Sequence, residues 1–285
     1  MSEVILAKSA GFCFGVKRAV DTVYEEVNKG KKIVTFGPII HNEEVVKDLE
    51  SHGVKVVDDV DGLRALKDSD TTVVLRSHGV GKDIVDLLET SNISYVDATC
   101  PFVKRIHNTV QKESEAGSKI VIIGNDGHPE VEGIKGWCKS TPVVVENMEQ
   151  AMAFTTNKDD KICIVSQTTF HLNKFQELVE IFKKKGYNVN VVNTICNATE
   201  ERQTEAREIA RKVPTMIVIG GTHSSNSRKL YEICKSECEN TYFIQTLDDL
   251  HLDNTKAASL VGITAGASTP KNIIEEVQNY VRINF

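Results

Sequence analysis

Three of the seven cysteines, Cys13, Cys100 and Cys196, occupy equivalent points of the sequence. Each follows a short apolar run and opens an amphipathic stretch, in KSAGFCFGVKRAVDTV, VDATCPFVKRIHNTV and NTICNATEERQTEA. The first two also share Val-Lys-Arg at one offset, so that Lys17 and Arg18 match Lys104 and Arg105. The cysteines are 87 and 96 residues apart. Twenty-eight residues beyond each comes a polar residue after a glycine-containing turn: His41 in FGPIIHNEEVV, His128 in IGNDGHPEVEG and Ser224 in IGGTHSSNSRKL. A third polar position follows at 65, 68 and 72 residues from the cysteine: His78 in RSHGVGK, Thr168 in SQTTFH and Ser268 in TAGASTPKN. The chain reads as three copies of one unit with three chemical positions each.

Three thiolates brought together by a pseudo-threefold arrangement would hold a metal centre. The spacing is neither that of a zinc ribbon nor that of a bacterial ferredoxin. Zinc with three cysteines and a water fits, and so does a 4Fe–4S cluster with one iron lacking a protein ligand. The histidines and hydroxyls of the other positions are donors for an oxyanion: His41, His78, His128, Thr168, Ser224, Ser225, Asn226 and Ser268. Helix N-termini and the small residues of GASTPKN add backbone N–H groups. No P-loop lysine is present. Glu130, two residues after His128, is the one carboxylate inside this set and the candidate proton source or relay. Each residue alone has a structural explanation, as a turn hydrogen-bonder or a helix cap; their convergence carries the reading. Cys163 reads as core, Cys234 and Cys238 as one helix face, and Cys138 as packing beside Trp137. His52, His107, His171 and His251 read as surface or helix-end residues.

The elements that must position these groups are short. Apolar runs at 4–8, 32–36, 54–57, 72–76, 93–96, 119–123, 142–145, 161–165, 188–192, 215–219, 241–245 and 259–263 predict twelve strands in three groups of four. Helical patterns such as VKRAVDTVYEEV and FHLNKFQELVEIFKK alternate with them, which predicts an α/β protein with mostly parallel sheets. Ligands of such sheets bind outside the strand carboxyl ends, where all nine positions fall. Unit boundaries are expected at 1–97, 98–193 and 194–285, with the first strand free to pack in the third unit. The 285 residues are 40% hydrophobic, with 34 Lys and Arg against 40 Asp and Glu. A net charge of −6, with no basic run longer than KKK at 183–185, speaks against nucleic acid as a partner. No signal peptide or bilayer-spanning run is legible, so a cytoplasmic protein with thiols or metal ligands rather than disulfides is expected.

Taken together, HN at 41–42, SHGV at 77–80, DATCP at 97–101, GHPEV at 127–131, QTT at 167–169, IC-x-AT at 195–199, SSNS at 224–227 and TAGASTP at 264–270 resemble the 4-hydroxy-3-methylbut-2-enyl diphosphate reductases. The resemblance spans essentially the whole chain. It implies three αβ domains, each with a mostly parallel four-stranded sheet, in a cloverleaf around a 4Fe–4S cluster bound by Cys13, Cys100 and Cys196. It implies a substrate diphosphate held by His41, His78, His128, Ser224, Ser225, Asn226 and Ser268, with Thr168 and Glu130 delivering protons. The implied reaction is a reductive dehydroxylation ending the non-mevalonate isoprenoid pathway, fed by an external one-electron donor such as ferredoxin or flavodoxin. Two other readings stand beside it. One is a three-domain cluster dehydratase of the quinolinate synthase kind, which needs no external electrons. The other is a cluster-bearing redox sensor, for which no partner-binding segment is legible.

Overall fold

Residues 3–251 and 260–284 are described by the computed structural model of the chain. All twelve predicted strands are present, and every pairing is parallel. The first strand, β1 (Glu3–Leu6), leaves the first run of four and packs in the third sheet, which the expected boundaries left open to it. It is followed by β2 (Lys32–Phe36), β3 (Lys55–Val57), β4 (Thr71–Leu75) and β5 (Tyr95–Asp97), which form one sheet in the order β3-β2-β4-β5 without it. A second sheet has β6 (Lys119–Ile123), β7 (Val143–Val145), β8 (Lys161–Ser166) and β9 (Asn188–Val191) in the order β7-β6-β8-β9. The third takes β10 (Thr215–Ile219), β11 (Thr241–Ile244) and β12 (Leu260–Ala265), and β1 completes it in the order β11-β10-β12-β1.

The order is therefore the same three times, and the pattern closes on itself through the N-terminal strand. Reading the strands in runs of four from the N-terminus is off by one. The last strand of each sheet, β5, β9 or β1, is the one that leads into a cysteine. These strands carry half-buried or alternating patterns (YVD, NVNV, EVIL), as sheet edges do. The inner strands β2, β4, β6, β8, β10 and β12 are almost entirely buried, because helices cover both faces of a parallel sheet. Which sheet an edge strand joins is decided by distant packing, which a local pattern does not carry.

The helices fall into the same three classes. After the cysteines come α1 (Phe14–Asn28), α5 (Pro101–Glu115) and α9 (Asn197–Ala210). After His41, His128 and Ser224 come α2 (Glu43–Ser51), α6 (Pro129–Lys135) and α10 (Ser225–Glu237). After His78, Thr168 and Ser268 come α4 (Lys82–Thr90), α8 (Leu172–Lys184) and α11 (Lys271–Asn284). The short α3 (Val60–Arg64) and α7 (Met148–Ala153) precede β4 and β8.

The chain forms two compact units. Met1–Lys17, Ile40–Asp48 and Asn197–Phe285 make the first, built on the third sheet. Its core lies on both faces of that sheet, with Ile217, Ile263 and Val277 on one side and Met216, Val218 and Leu230 on the other. Arg18–Ile39 and Leu49–Cys196 make the second, which holds the other two sheets. Its core includes Val73, Leu75 and Leu88 around β4, with Ile164 and Phe182 against β8.

Candidate functional site

Each of the three cysteines is fixed by the same backbone bond. The amide of Cys13 donates to Ala267 O at 3.2 Å, that of Cys100 to Ser77 O at 3.0 Å, and that of Cys196 to Thr168 O at 3.0 Å. Every cysteine is thus tied to the loop carrying a third-position residue. Cys13 and Cys100 also accept from Lys17 N and Lys104 N through their own carbonyls, which starts α1 and α5. Cys100 caps α5 with no side-chain bond, and Pro101 occupies the first helical position, where a missing N–H costs nothing. The three thiols are half-buried at helix N-termini. The others differ. Cys163, Cys234 and Cys238 are buried, and burial pushes the thiols of Cys138, Cys163 and Cys234 up to about 12.

The segment before Cys100 is held by charge. Arg18 donates to three successive carbonyls, those of Asp97 (3.3 Å), Ala98 (3.3 Å) and Thr99 (3.0 Å). Lys104 pairs with Asp97 at 2.6 Å, and Thr99 N donates to the other carboxylate oxygen at 2.8 Å. Burial works to raise the Asp97 pKa, but Lys104 and Thr99 outweigh it and hold the carboxyl below the usual range. Half of the repeated Lys-Arg pair is therefore structural. Arg18→Met is expected to destabilise the protein by about 2–4 kcal/mol, since it deletes charge-assisted bonds to partly buried carbonyls. Urea unfolding measures it, and an unchanged midpoint would contradict the assignment.

In the second unit the loops after β4, β6 and β8 bring four polar residues to one place. His128 caps α6, with its Nδ1 accepting from Glu130 N at 3.1 Å. That bond makes the ring neutral with its proton on Nε2, a donor for an anion. The His78 ring stands edge-on to His128, centroids 5.7 Å apart. Glu130 is 1% exposed, and both its oxygens accept from one residue: Oε1 from Thr168 N at 2.5 Å and Oε2 from Thr168 Oγ1 at 2.6 Å. Because Thr168 O also accepts from Cys196 N, the carboxylate, the hydroxyl and a cysteine share one hydrogen-bonded loop. Gln167, fully buried, completes it by accepting from Asn125 N through Oε1 and donating to Thr169 Oγ1, both at 3.0 Å. Its only sequence signal is its place in the QTT motif.

In the first unit, Ser268 Oγ donates to His41 O at 3.1 Å, joining two predicted positions. Ser224 caps α10 and accepts from Ser227 N. Ser227 fills space left by two glycines, since a Cβ on Gly220 or Gly266 would meet its Oγ at 2.2 or 2.0 Å. Asn226 is 5% exposed, yet neither its Oδ1 nor its Nδ2 finds a protein partner. Leaving both unmade costs roughly 1–3 kcal/mol per group, so this amide is built to meet something other than protein. Three residues outside the predicted site set lie here. Asn42 is buried with Nδ2 unpartnered, and the buried Lys229 donates to Ser225 Oγ at 2.9 Å. Lys229 lies one helical turn after Ser225, a spacing that could have flagged it. The third is His223, exposed beside Ser224.

The second unit thus holds Cys100, Cys196, His78, His128, Glu130 and Thr168, and the first holds Cys13, His41, Ser224, Ser225, Asn226 and Ser268. Among the described residues, no three His, Cys, Asp or Glu side chains lie close enough together to hold a single metal ion. No described helix is long and apolar enough to cross a membrane.

His107 corrects the sequence reading. It is not a surface residue but is 4% exposed, stacked on Trp137, because the inner face of α5 packs against α6. Burial drives its pKa from 6.5 down to about 4, Asp97 opposing and Lys104 assisting. The folded state keeps the ring neutral where the unfolded chain binds a proton. Stability is therefore full above about pH 6.5 and falls toward pH 4, by about 3 kcal/mol in all. Urea midpoints at pH 7 and pH 4.5 should converge in His107→Phe; an equal pH slope in the variant would contradict this.

Three parallel sheets in one repeated order, with the predicted positions at their carboxyl ends, define the class: a parallel α/β protein. The family model described as LytB protein matches residues 4–282. The 4-hydroxy-3-methylbut-2-enyl diphosphate reductase of Caldanaerobacter subterraneus subsp. tengcongensis is 44% identical over 277 residues, 96% of this chain and 95% of that one. The structure of the E-1-hydroxy-2-methyl-but-2-enyl-4-diphosphate reductase from Plasmodium falciparum superposes with a TM-score of 0.92 at 28% identity, covering 98% of this chain and 87% of that one. That of an (E)-4-hydroxy-3-methyl-but-2-enyl diphosphate reductase, called the terminal enzyme of the non-mevalonate pathway, gives a TM-score of 0.70 at 39% identity, covering 99% and 100%. The chain belongs to the LytB protein family, a family of reductase enzymes.

Proposed function

We propose that the chain reduces 4-hydroxy-3-methylbut-2-enyl diphosphate, the compound in the names of its relatives, and that the products are isopentenyl and dimethylallyl diphosphates. The single observation that carries the reading is the Glu130–Thr168 pair: a buried carboxylate doubly bonded to a residue that also anchors Cys196. The donor set suits a 4Fe–4S cluster, with three half-buried thiols at helix N-termini set apart from four cysteines that burial makes poor thiolates or locks in the core. Cys13, Cys100 and Cys196 would hold it. When bound, such a cluster supplies electrons one at a time, drawn from an external donor such as ferredoxin or flavodoxin.

The protein's own residues handle charge and protons. His128, donating from Nε2, with His41, His78, Ser224, Ser225, Asn226 and Ser268, binds the diphosphate. The orphaned Asn226 amide supports this most directly. The buried Lys229 adds positive charge behind Ser225. Protonated Glu130 donates to Thr168 Oγ1, and the Thr168 hydroxyl passes a proton to the substrate's hydroxyl, which leaves as water. Two electrons and one further proton, taken up at either end of the allylic carbons, complete either product. Holding the diphosphate fixes which carbon faces the proton relay. On this reading the units 1–97, 98–193 and 194–285, with β1 lent to the third, each supply one cysteine, and the enzyme works in the cytoplasm.

The test is an anaerobic assay with 4-hydroxy-3-methylbut-2-enyl diphosphate and a chemical reductant. Formation of both products, strictly dependent on reductant, is expected. Dehydration without electrons, or no turnover of the diphosphate, would favour the dehydratase or sensor readings.

A further inference from the structure

We propose that Trp137 and His107 position His78 against His128 and Glu130. This rests on the reading of those three residues as the diphosphate and proton site. Helix α6 carries His128 and Glu130 at its first turn, and its other end grips the loop that carries His78. The helix meets that loop through glycines: a Cβ on Gly133 would lie 3.5 Å from Gly79 C and O and from Val80 N, and one on Gly136 would lie 2.5 Å from Gly81 Cα. One residue beyond Gly136, Trp137 Nε1 donates to Val80 O at 2.8 Å. Indole has a single donor, and here it is given to the carbonyl two residues after His78.

The third side of the loop is closed by His107. Its ring lies on Trp137 with centroids 5.2 Å apart and planes at 16°. Gly79 has φ +76°, and a Cβ there would strike His107 Cε1 at 2.6 Å. The loop is therefore held in a left-handed turn that only glycine adopts easily, between the His107 ring and the α6 glycines. His107 Nε2, buried, has no protein partner, so the ring contributes its flat face and not a hydrogen bond. One helix thus fixes three residues of the site: His128 and Glu130 directly, His78 through Trp137. Trp137 and His107 are positioning residues.

The experiment uses the cluster-loaded enzyme, wild type and Trp137→Phe, the latter keeping an aromatic ring and losing the N–H. Amide hydrogen exchange in residues 77–81 is expected to quicken by about 5–10-fold, the worth of one hydrogen bond, with exchange in β6 unchanged. The KM for the diphosphate substrate and the Kd for inorganic pyrophosphate should rise by a similar factor, with kcat nearly constant. Trp137→Leu, which also loses the stack, should exceed both effects, while His107→Phe should preserve them near wild type. Unchanged exchange in Trp137→Phe would overturn the clamp. Faster exchange with unaltered KM and pyrophosphate affinity would overturn its role in positioning His78. A wild-type enzyme with no affinity for pyrophosphate or substrate would instead defeat the diphosphate reading, and exchange alone would then decide the clamp.

Discussion

Glu130→Gln is expected to lower kcat by about 10²–10⁴-fold, the usual worth of a positioned general acid, while iron content and substrate affinity stay near wild type. The prediction follows from how the carboxylate is bonded. Oε1 accepts from Thr168 N and Oε2 from Thr168 Oγ1, with the group almost fully buried. A glutamine keeps the first bond with its carbonyl and turns an N–H₂ toward the hydroxyl, which then accepts instead of donating. Both bonds between the two residues are kept, so the fold tolerates the change. What is lost is the transferable proton, since the amide donates to the hydroxyl as protonated Glu130 would but cannot give its proton up. Thr168→Val should behave differently: it removes the buried hydroxyl bond to Glu130 Oε2 and lowers stability as well as turnover. Steady-state kinetics beside thermal unfolding separates the two, and near-normal turnover in Glu130→Gln would remove the carboxylate from the mechanism.

Cys100→Ser should lose most of its iron and acid-labile sulfide on anaerobic purification, and all turnover with them. Serine is a harder ligand than cysteine, and its hydroxyl is far less acidic than a thiol. The substitution leaves the backbone anchor to Ser77 O and the Arg18 contacts untouched, so the folded chain should survive it. Cys163→Ala is the matched control. It lies in the core of β8 with its thiol pushed up to about 12; its loss should cost about 1–2 kcal/mol of stability by leaving a small cavity and should leave iron content unchanged. An intact, active cluster in Cys100→Ser, or its loss in Cys163→Ala, would reverse the ligand assignment.

The contrast between those two cysteines shows what was legible in the sequence. Position within the repeat separated Cys100 from Cys163, and the structure sets them in different surroundings for the reason the repeat implied: one opens a helix at a strand's carboxyl end, the other is inside a strand. All nine polar positions lie at such ends, because a parallel α/β chain returns to the same edge after every crossover. The strand pattern was equally legible, since Val and Ile runs covered on both faces leave little choice. What local pattern did not carry was membership between elements. β1 reads like any other first strand; its pattern left it free to join the third unit, and distant packing makes it the edge of the third sheet. His107 reads as a helix-end polar residue, but α6 covers it. Lys229, Asn42 and Gln167 matter through the group each one backs, and the packing of a loop on a helix decides that. The glycines at 133 and 136 are visible in GIKGW, yet only the loop pressed against them gives them meaning.

The most direct test of the central claim is Mössbauer spectroscopy of the anaerobically prepared, ⁵⁷Fe-labelled protein, with and without 4-hydroxy-3-methylbut-2-enyl diphosphate. Three cysteines shared among four irons predict one iron with parameters of its own, and those parameters should change when the substrate is added. Absence of iron, or a spectrum indifferent to the diphosphate, would contradict the account.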